Sequence, residues 1–545
     1  MNFDLRAILR TGISRTVGLV LLTAVGIGQS GCGDNGGSNG GAESGGAPGL
    51  GGAGLGGGGQ VGGTGGVDPG TGGRGAGNGG SDPSTGGDPS SGGTTGGTGG
   101  TTGGTGGTAG GTGGTAGGTG GTAGGTGGTA GAEGGAGGAP TTSWKARVIH
   151  TTDIGADPDD KMSMVRAFAL ANDVDIEGLI ATTGCWKKSR NDATMLDPLV
   201  NAYGEVVNNL QVHDPEYPSL EYIKSISVLG QTGYGMGDVG EGKDSEGSNL
   251  IIAAVDKDDP RPVWTTCWGG CNTIAQAVWK VQNTRSQADL DKFIDKLRVY
   301  DVLGQGTGGT WLAKTFPNLL YIRATQVYSW QPSDGWVDEH VQSHGPLGAA
   351  YPDRKWAFEG DSPAIFHVHG NGLHDPDDVS QNGWGGRFTL KSGVRGMSCM
   401  GGGDKQYDPY EMYNEAEESI NRWKDALQND FEARMDWSIT SNYADANHHP
   451  VAVLNGDTGR SVLEMSGSGS VELSAAGTTD PDGDTLSYNW WIDEDPSTGT
   501  GSISSATTET TTVSVSSGSV HVVLEVVDTG SPNLTAYRRM IINAQ

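Results

Sequence analysis

Four carboxylates fall within eight residues, at Asp153, Asp157, Asp159 and Asp160, in the run Thr151-Thr152-Asp153-Ile154-Gly155-Ala156-Asp157-Pro158-Asp159-Asp160. Side chains of one sign crowded at that spacing repel one another. A hard cation taking oxygen ligands relieves the repulsion, so the run reads as a cation site. The competing use is a helix cap, because Asp at a helix start accepts from free backbone N–H groups and meets the positive end of the dipole. A cap takes one or two acids and leaves the others unexplained.

The neighbouring residues say what positions this run. The apolar pair Val148-Ile149 leads in, and Met162, Val165 and Ala169 lead out on one helical face with Phe168 beside them. The carboxylates therefore sit on a loop between the carboxyl end of a strand and the amino end of a helix, where open α/β sheets hold ligands. Strand-like runs recur at Ala146 to His150, Val174 to Thr182, Val263 to Cys267, Arg298 to Leu303 and Leu319 to Arg323. Helical patterns lie between and after them, at Asp192 to Leu210, Asn272 to Gln282 and Glu411 to Phe431. Pro198 offers a later start for the first of these. The alternation over 144–446 predicts an α/β domain, a mostly parallel open sheet with helices on both faces. Over 447–545 the runs shorten and alternate, at Val451 to Leu454, Ser470 to Leu473, Leu486 to Ile492, Thr511 to Val515 and Val520 to Val527. That pattern predicts a C-terminal immunoglobulin-like β-sandwich. The acidic turn Asp480-Pro481-Asp482-Gly483-Asp484 is either a polar hairpin turn or a second calcium site.

Composition bounds the rest. Of 545 residues 101 are Gly, most of them before Pro140. Residues 33–143 have almost no side chains to bury and predict a flexible tether. Ahead of it, Arg6, Arg10 and Arg15 precede the apolar stretch Val17 to Ile27, too short for a comfortable membrane span. Residues 1–32 thus read as an export signal. Ser30-Gly31-Cys32 resembles the end of a bacterial lipobox, although Gln29 departs from its usual Leu. Cys32 would then carry a lipid, placing the protein in the cell envelope as an outer-membrane lipoprotein; cleavage without a lipid would release it. No other membrane attachment is expected. The net charge of −29 excludes nucleic-acid binding, which needs basic patches. The five Cys, Cys32, Cys185, Cys267, Cys271 and Cys399, show no zinc spacing and read as small buried residues or one disulfide. His367-Val368-His369 would offer two zinc ligands from one strand face, with no third indicated.

The run 151–160 resembles the signature of the inosine–uridine preferring nucleoside hydrolases, through Thr152-Asp153-Ile154-Gly155. It is closer still to a bacterial family of cellulose-binding proteins with a nucleoside-hydrolase-like domain, whose Thr-Thr-Asp-Ile-Gly-x-Asp-Pro-Asp-Asp it reproduces. Asp175 to Thr183 and Asn382 to Arg387 fit the same family, which also carries a C-terminal β-sandwich. The resemblance implies a Ca2+ held by Asp153, Asp160, a backbone carbonyl at Thr266 or its neighbour, and Asp375. Asp153 would double as general base, and His374 of Gly372-Leu373-His374-Asp375-Pro376 would protonate the leaving base. Asp157, Asp159, Glu359 and Asp361 would bind the sugar hydroxyls. The substrate implied is a nucleoside or another small N-glycoside. The alternative is a non-catalytic surface protein that binds cellulose or another polysaccharide. Pro158 departs from the hydrolase pattern: the Asp pair comes two residues late, and either Asp157 or Asp159 takes the sugar-facing place. The same residues have ordinary uses, a buried strand end for Thr266, helix caps for Glu359 and Asp361, and a surface histidine for His374.

Overall fold

The computed structural model describes residues 145–189, 193–355, 359–396, 407–408, 412–415 and 419–544. The export signal, Cys32 and the tether lie outside them. None of the described helices is long and apolar enough to cross a membrane.

Six short strands form the centre: β1 (Ala146–Thr152), β2 (Val174–Ala181), β3 (Ser227–Leu229), β4 (Val263–Cys267), β5 (Leu297–Val302) and β6 (Leu320–Ala324). Their order is β3-β2-β1-β4-β5-β6, every neighbouring pair parallel. The chain runs outward from β1 to β3, then crosses back to β4 on the other side of β1. The loops leaving β1 and β4 diverge there, which opens a crevice at the carboxyl ends of the strands. β4 is buried throughout and β1 from its second residue on, as expected of a sheet covered on both faces.

Helices α1 (Asp159–Ala169), α2 (Asp197–His213) and α11 (Lys424–Ile439) pack one face through Met162, Phe168, Tyr203 and Phe431. Helices α4 (Glu246–Asp256), α5 (Asn272–Thr284), α6 (Gln287–Lys296) and α7 (Thr307–Thr315) pack the other through Ile251, Val278, Phe293 and Leu312. Shorter helices α3 (Leu220–Ile226), α8 (Asp334–Val337), α9 (Gly345–Ala349) and α10 (Ser362–Val368) complete the layers. Pro198 stands in the first turn of α2, so the later start is the observed one. The segment expected to be helical from Glu411 begins as a strand, β10 (Met412–Glu415), and the α-helix starts only at Lys424. β10 lies parallel to β6 and antiparallel to β7 (Phe388–Lys391), extending the sheet by two strands. Asn414 donates to the Arg323 carbonyl at 2.8 Å, so pairing overrides the local helical pattern. A two-stranded ribbon joins β8 (Val394–Arg395) and β9 (Tyr407–Asp408).

The C-terminal part is two sheets, a four-stranded one ordered β11-β17-β16-β13 and a three-stranded one ordered β12-β15-β14. The strands are β11 (Leu463–Ser466), β12 (Gly469–Ser474), β13 (Ser487–Asp493), β14 (Thr500–Ile503), β15 (Thr510–Ser517), β16 (Ser519–Val527) and β17 (Thr535–Asn543). Leu473, Trp490, Val513, Leu524 and Ile542 fill the space between the sheets. Val451 to Leu454, expected as a strand, makes only isolated bridges. Side chains alternate across a strand. Val523 and Tyr537 therefore leave the sandwich and join the core of the α/β domain. Asp493 accepts from Asn382 Nδ2 at 2.6 Å and from Arg539 at 2.8 Å, and Arg539 also donates to the Leu373 carbonyl at 2.6 Å. The Asn382 run thus fastens the sandwich to the sheet.

Candidate metal centre

Asp153 is the first residue past β1. The Ala156 N–H closes a turn on its carbonyl at 3.0 Å, and Gly155 sits at φ +86°, a backbone few other residues adopt. Asp159 and Asp160 then open α1, with Pro158 at its N-cap. Ligand oxygens of Asp157, Asp159 and Asp160 lie within 4.8 Å of one another. The Thr152 hydroxyl donates to Asp160, and the Asp160 N–H donates to Asp159 Oδ1 at 3.0 Å. Asp153 is 2% exposed, and its Oδ2 has no hydrogen-bond partner. Two glycines make room for this carboxylate. A Cβ on Gly184 would stand 1.9 Å from Oδ2, and one on Gly269 would stand 2.5 Å from Oδ1. Those glycines follow β2 and β4, so the carboxylate is enclosed by the loops of the crevice.

Burial, then Asp159 and Asp157, push the Asp153 carboxyl up to about 8. Burial, then a hydrogen bond to Asp157 and the charge of Asp160, push Asp159 up to about 10. Burial and Asp153 push Asp160 well above the usual carboxylate range. Asp361 belongs to the same group: burial raises it first, then Asp159, Asp160, Asp153 and Asp157. It occupies the N-cap position of α10 yet makes no capping bond with its side chain, so the cap reading of Asp361 is not the observed one. One ammonium offsets these acids. Lys187 Nζ donates to the Ile154 carbonyl at 2.6 Å and draws both Asp153 and Asp160 downward. Among the described residues, five carboxyls, one of them buried with an oxygen unpartnered, against the Lys187 ammonium make a donor set that fits a hard cation. Asp153, Asp157, Asp159 and Asp160 would hold it.

Four expected residues are placed otherwise. Glu359 is fully buried at φ +41° and spends its carboxylate on Arg166 of α1, the Tyr351 hydroxyl at 2.8 Å and the Ser362 hydroxyl at 2.7 Å. It fastens the 359–361 loop to α1 and does not face a sugar. Thr266 pairs with His150 inside the sheet, its hydroxyl 2.8 Å from Nδ1 and its carbonyl accepting from Thr151 at 2.9 Å. It is Gly269, three residues on, that reaches Asp153. His374 is buried, Nε2 on the His367 carbonyl at 2.9 Å. Asp375 caps the Asp377 N–H at 3.0 Å. Both line a cavity of about 350 Å3 with Lys145, Pro262 and Trp264. Lys145 and Pro262 precede β1 and β4, so this cavity is at the amino ends of the strands. Seven residues of β1 separate the two ends by ~20 Å, beyond the reach of any side chain. Neither residue can serve Asp153. His367 lies in α10 beneath Trp264 and His369 lies near Asp173, so the pair does not share a strand face. Cys267 and Cys271 form a disulfide across the turn into α5. In the acidic turn of the sandwich Asp480 accepts from the Asp482 and Asp484 N–H groups through one oxygen, its other oxygen is buried without a partner, and Asp482 accepts from His448.

Sequence reading missed Lys187, Gly184 and Trp186, which is 59% exposed; Tyr328, 41% exposed, lies in an aromatic-rich stretch, 321–336, that the sequence does show. Tyr328 stands by Gly360 and Asp159, whose charge, after burial, raises its hydroxyl. The available signal was position: 184–187 directly follow β2.

Residues 147–388 match the family described as cellulose-binding Sde182, nucleoside hydrolase-like domain. Residues 470–544 match the C-terminal domain of cellulose-binding protein Sde0182. The chain belongs to this family. A solved structure of a nucleoside hydrolase-related hypothetical protein from Saccharophagus degradans, associated with carbohydrate metabolism, is 59% identical. It covers 74% of this chain and 100% of its own, with a TM-score of 0.72. The effector protein XOO4466 aligns at 10% identity over 55% of this chain and 95% of its own, with a TM-score of 0.32, too distant to carry a conclusion. No curated protein matches.

Proposed function

We propose that this family member hydrolyses N-glycosyl bonds at the Asp153 crevice with a bound Ca2+. The observation that carries the reading is the buried, unpartnered Asp153 Oδ2 among carboxyls driven to hold protons in the absence of a cation. A bound Ca2+ would supply an oriented water of lowered pKa. Asp153, held between Gly184 and Gly269, would act as the general base toward the attacking water. Asp361 would accept from sugar hydroxyls and face the positive charge that develops at the anomeric carbon. Trp186 and Tyr328 offer ring faces at the rim. With His374 at the other end of the strands, the site lacks the expected leaving-group acid, so it suits leaving groups that depart as stable anions. The test is release of p-nitrophenolate from p-nitrophenyl β-D-ribofuranoside beside release of base from inosine, with Ca2+ and with chelator. Calcium-dependent release of base from inosine, lost on chelation and in Asp153→Ala, is expected, with faster turnover of the nitrophenyl O-glycoside; no calcium-dependent release of base ends the N-glycosyl reading.

A second role, polysaccharide binding, is supported by the cellulose-binding description of both matched segments. We propose that the chain acts outside the cytoplasm on or near plant polysaccharide, attached through a lipid on Cys32. The Cys267–Cys271 disulfide suits an oxidising compartment. Retention of the purified chain on insoluble cellulose tests the binding, and palmitate labelling tests the anchor.

A further inference from the structure

A groove of about 600 Å3 runs along the seam of the two domains, far from the role of the Asp153 crevice. Its two walls follow from local geometry. Arg422, Asp425 and Asn429, three and four residues apart, share one face of the turn leading into α11 and of α11 itself. Asn489 and Trp491, two apart, share one face of β13, the edge strand of the four-stranded sheet, and Glu525 lies directly opposite Asn489 on β16. Trp490 points the other way, into the sandwich core. The helix wall from Arg422 to Asn429 is ~10 Å long, the length of a disaccharide.

The chemistry of the walls selects an occupant. Trp423 and Trp491 stand 6.2 Å apart at 41°, with Trp491 half-buried. Trp423 is 6% exposed and its indole N–H has no acceptor. The Arg422 guanidinium lies over both rings, 4.6 Å and 5.2 Å from their centroids. Asn429 and Asn489 supply amides, each held by a neighbour: Asn429 Nδ2 donates to Asn533 at 2.9 Å, and Asn489 Nδ2 to Glu525 at 3.0 Å. The half-buried Trp491 is the indole that can stack on the C–H face of a sugar, and fixed amides and carboxylates bond sugar hydroxyls. Asp425 and Glu525 outnumber the one cation, Arg422, which disfavours an anionic polymer.

The geometry points to this seam groove as a binding site for a neutral β-glucan chain, two sugar rings of which lie between α11 and the β13 edge. This rests on the polysaccharide-binding role proposed above, and it places that role where both domains contribute. The experiment is affinity electrophoresis of the full chain in gels containing hydroxyethylcellulose or polygalacturonate, with cellohexaose titration by calorimetry. Wild type is expected to be retarded by hydroxyethylcellulose and not by polygalacturonate. Trp491→Ala and the surface change Asn489→Ala should each weaken cellohexaose binding about tenfold or more. Trp491→Phe should retain part of it, and the exposed Asn489→Ala should keep the wild-type melting temperature, so that its loss of binding is not a loss of fold. Wild-type affinity in both Trp491→Ala and Asn489→Ala removes the groove while leaving polysaccharide binding standing. No retardation of wild type removes both. Retardation by polygalacturonate overturns the neutral-glycan assignment.

Discussion

Replacing Asp153 by Asn tests the electrostatics of the crevice without changing its shape. In the cation-free protein the Asp153 carboxyl titrates near 8 against an ordinary 3.8. Between these values the folded chain keeps a proton that the unfolded chain has released. Stability from this group is therefore whole below pH 4 and is lost as pH rises through 8. Each pH unit in that window costs about 1.4 kcal/mol, or ~2.7 kcal/mol between pH 5 and 7. The absolute curve will not show this directly. Buried His150, held down to about 3, and His369 and His374, held down to about 4, make stability rise with pH up to their ordinary 6.5. These histidines cancel in the difference between wild type and Asp153→Asn. Below pH 8 the carboxyl is already neutral, so Asn disturbs its neighbours little. The assay is urea unfolding of both proteins in chelator at pH 5, 6 and 7. Wild type should lose stability relative to the variant at the stated slope. Saturating Ca2+ should oppose the trend and stabilise wild type more than the variant, because only in wild type does binding also expel the Asp153 proton. Parallel curves in chelator, or equal stabilisation of both proteins by Ca2+, would refute the assignment of Asp153 as a buried carboxyl awaiting a cation.

Gly269→Ala places a methyl 2.5 Å from Asp153 Oδ1 and should lower kcat on the nitrophenyl glycoside about 10²-fold, since such shifts misalign the reacting atoms; unchanged kcat would mean Asp153 is not the base. Asp375→Asn and His374→Gln sit at the opposite strand ends and should leave Ca2+ affinity by calorimetry at the wild-type value, whereas Asp160→Asn should weaken it. Glu359→Gln leaves the Arg166 guanidinium buried without its counter-charge and should cost about 3–5 kcal/mol in urea unfolding; a smaller loss in stability with a loss of substrate affinity would return Glu359 to the sugar site.

Much of the architecture was legible because it depends on local pattern. The strands at Val174 and Val263 are short runs dominated by β-branched and other apolar residues, a local pattern that reads as strand. The last strand, Thr535–Asn543, was not legible. It carries Arg538 and Arg539 in its middle, buried because Asp457 and Asp493 pair with them from distant segments. The strand Met412–Glu415 was hidden in a helical pattern for a similar reason: its pairing with Phe388–Lys391 outweighs its local preference.

The Asp153–Asp160 run shows where the division falls. By itself the sequence determined that the acids follow a strand and open a helix, because that spacing sets the loop. It also determined that they lie where an open parallel sheet holds ligands. Which distant groups join them was decided only by tertiary structure. Strand order put β2 and β4 on either side of β1, and so brought Lys187, Gly184 and Gly269 to the carboxylates and turned His374 and Asp375 to the other end. Burial decided the rest: a charge removed from water is held by whichever partner packs against it. Glu359 met Arg166 and became structural, while Asp361, two residues on, met the acids of the crevice.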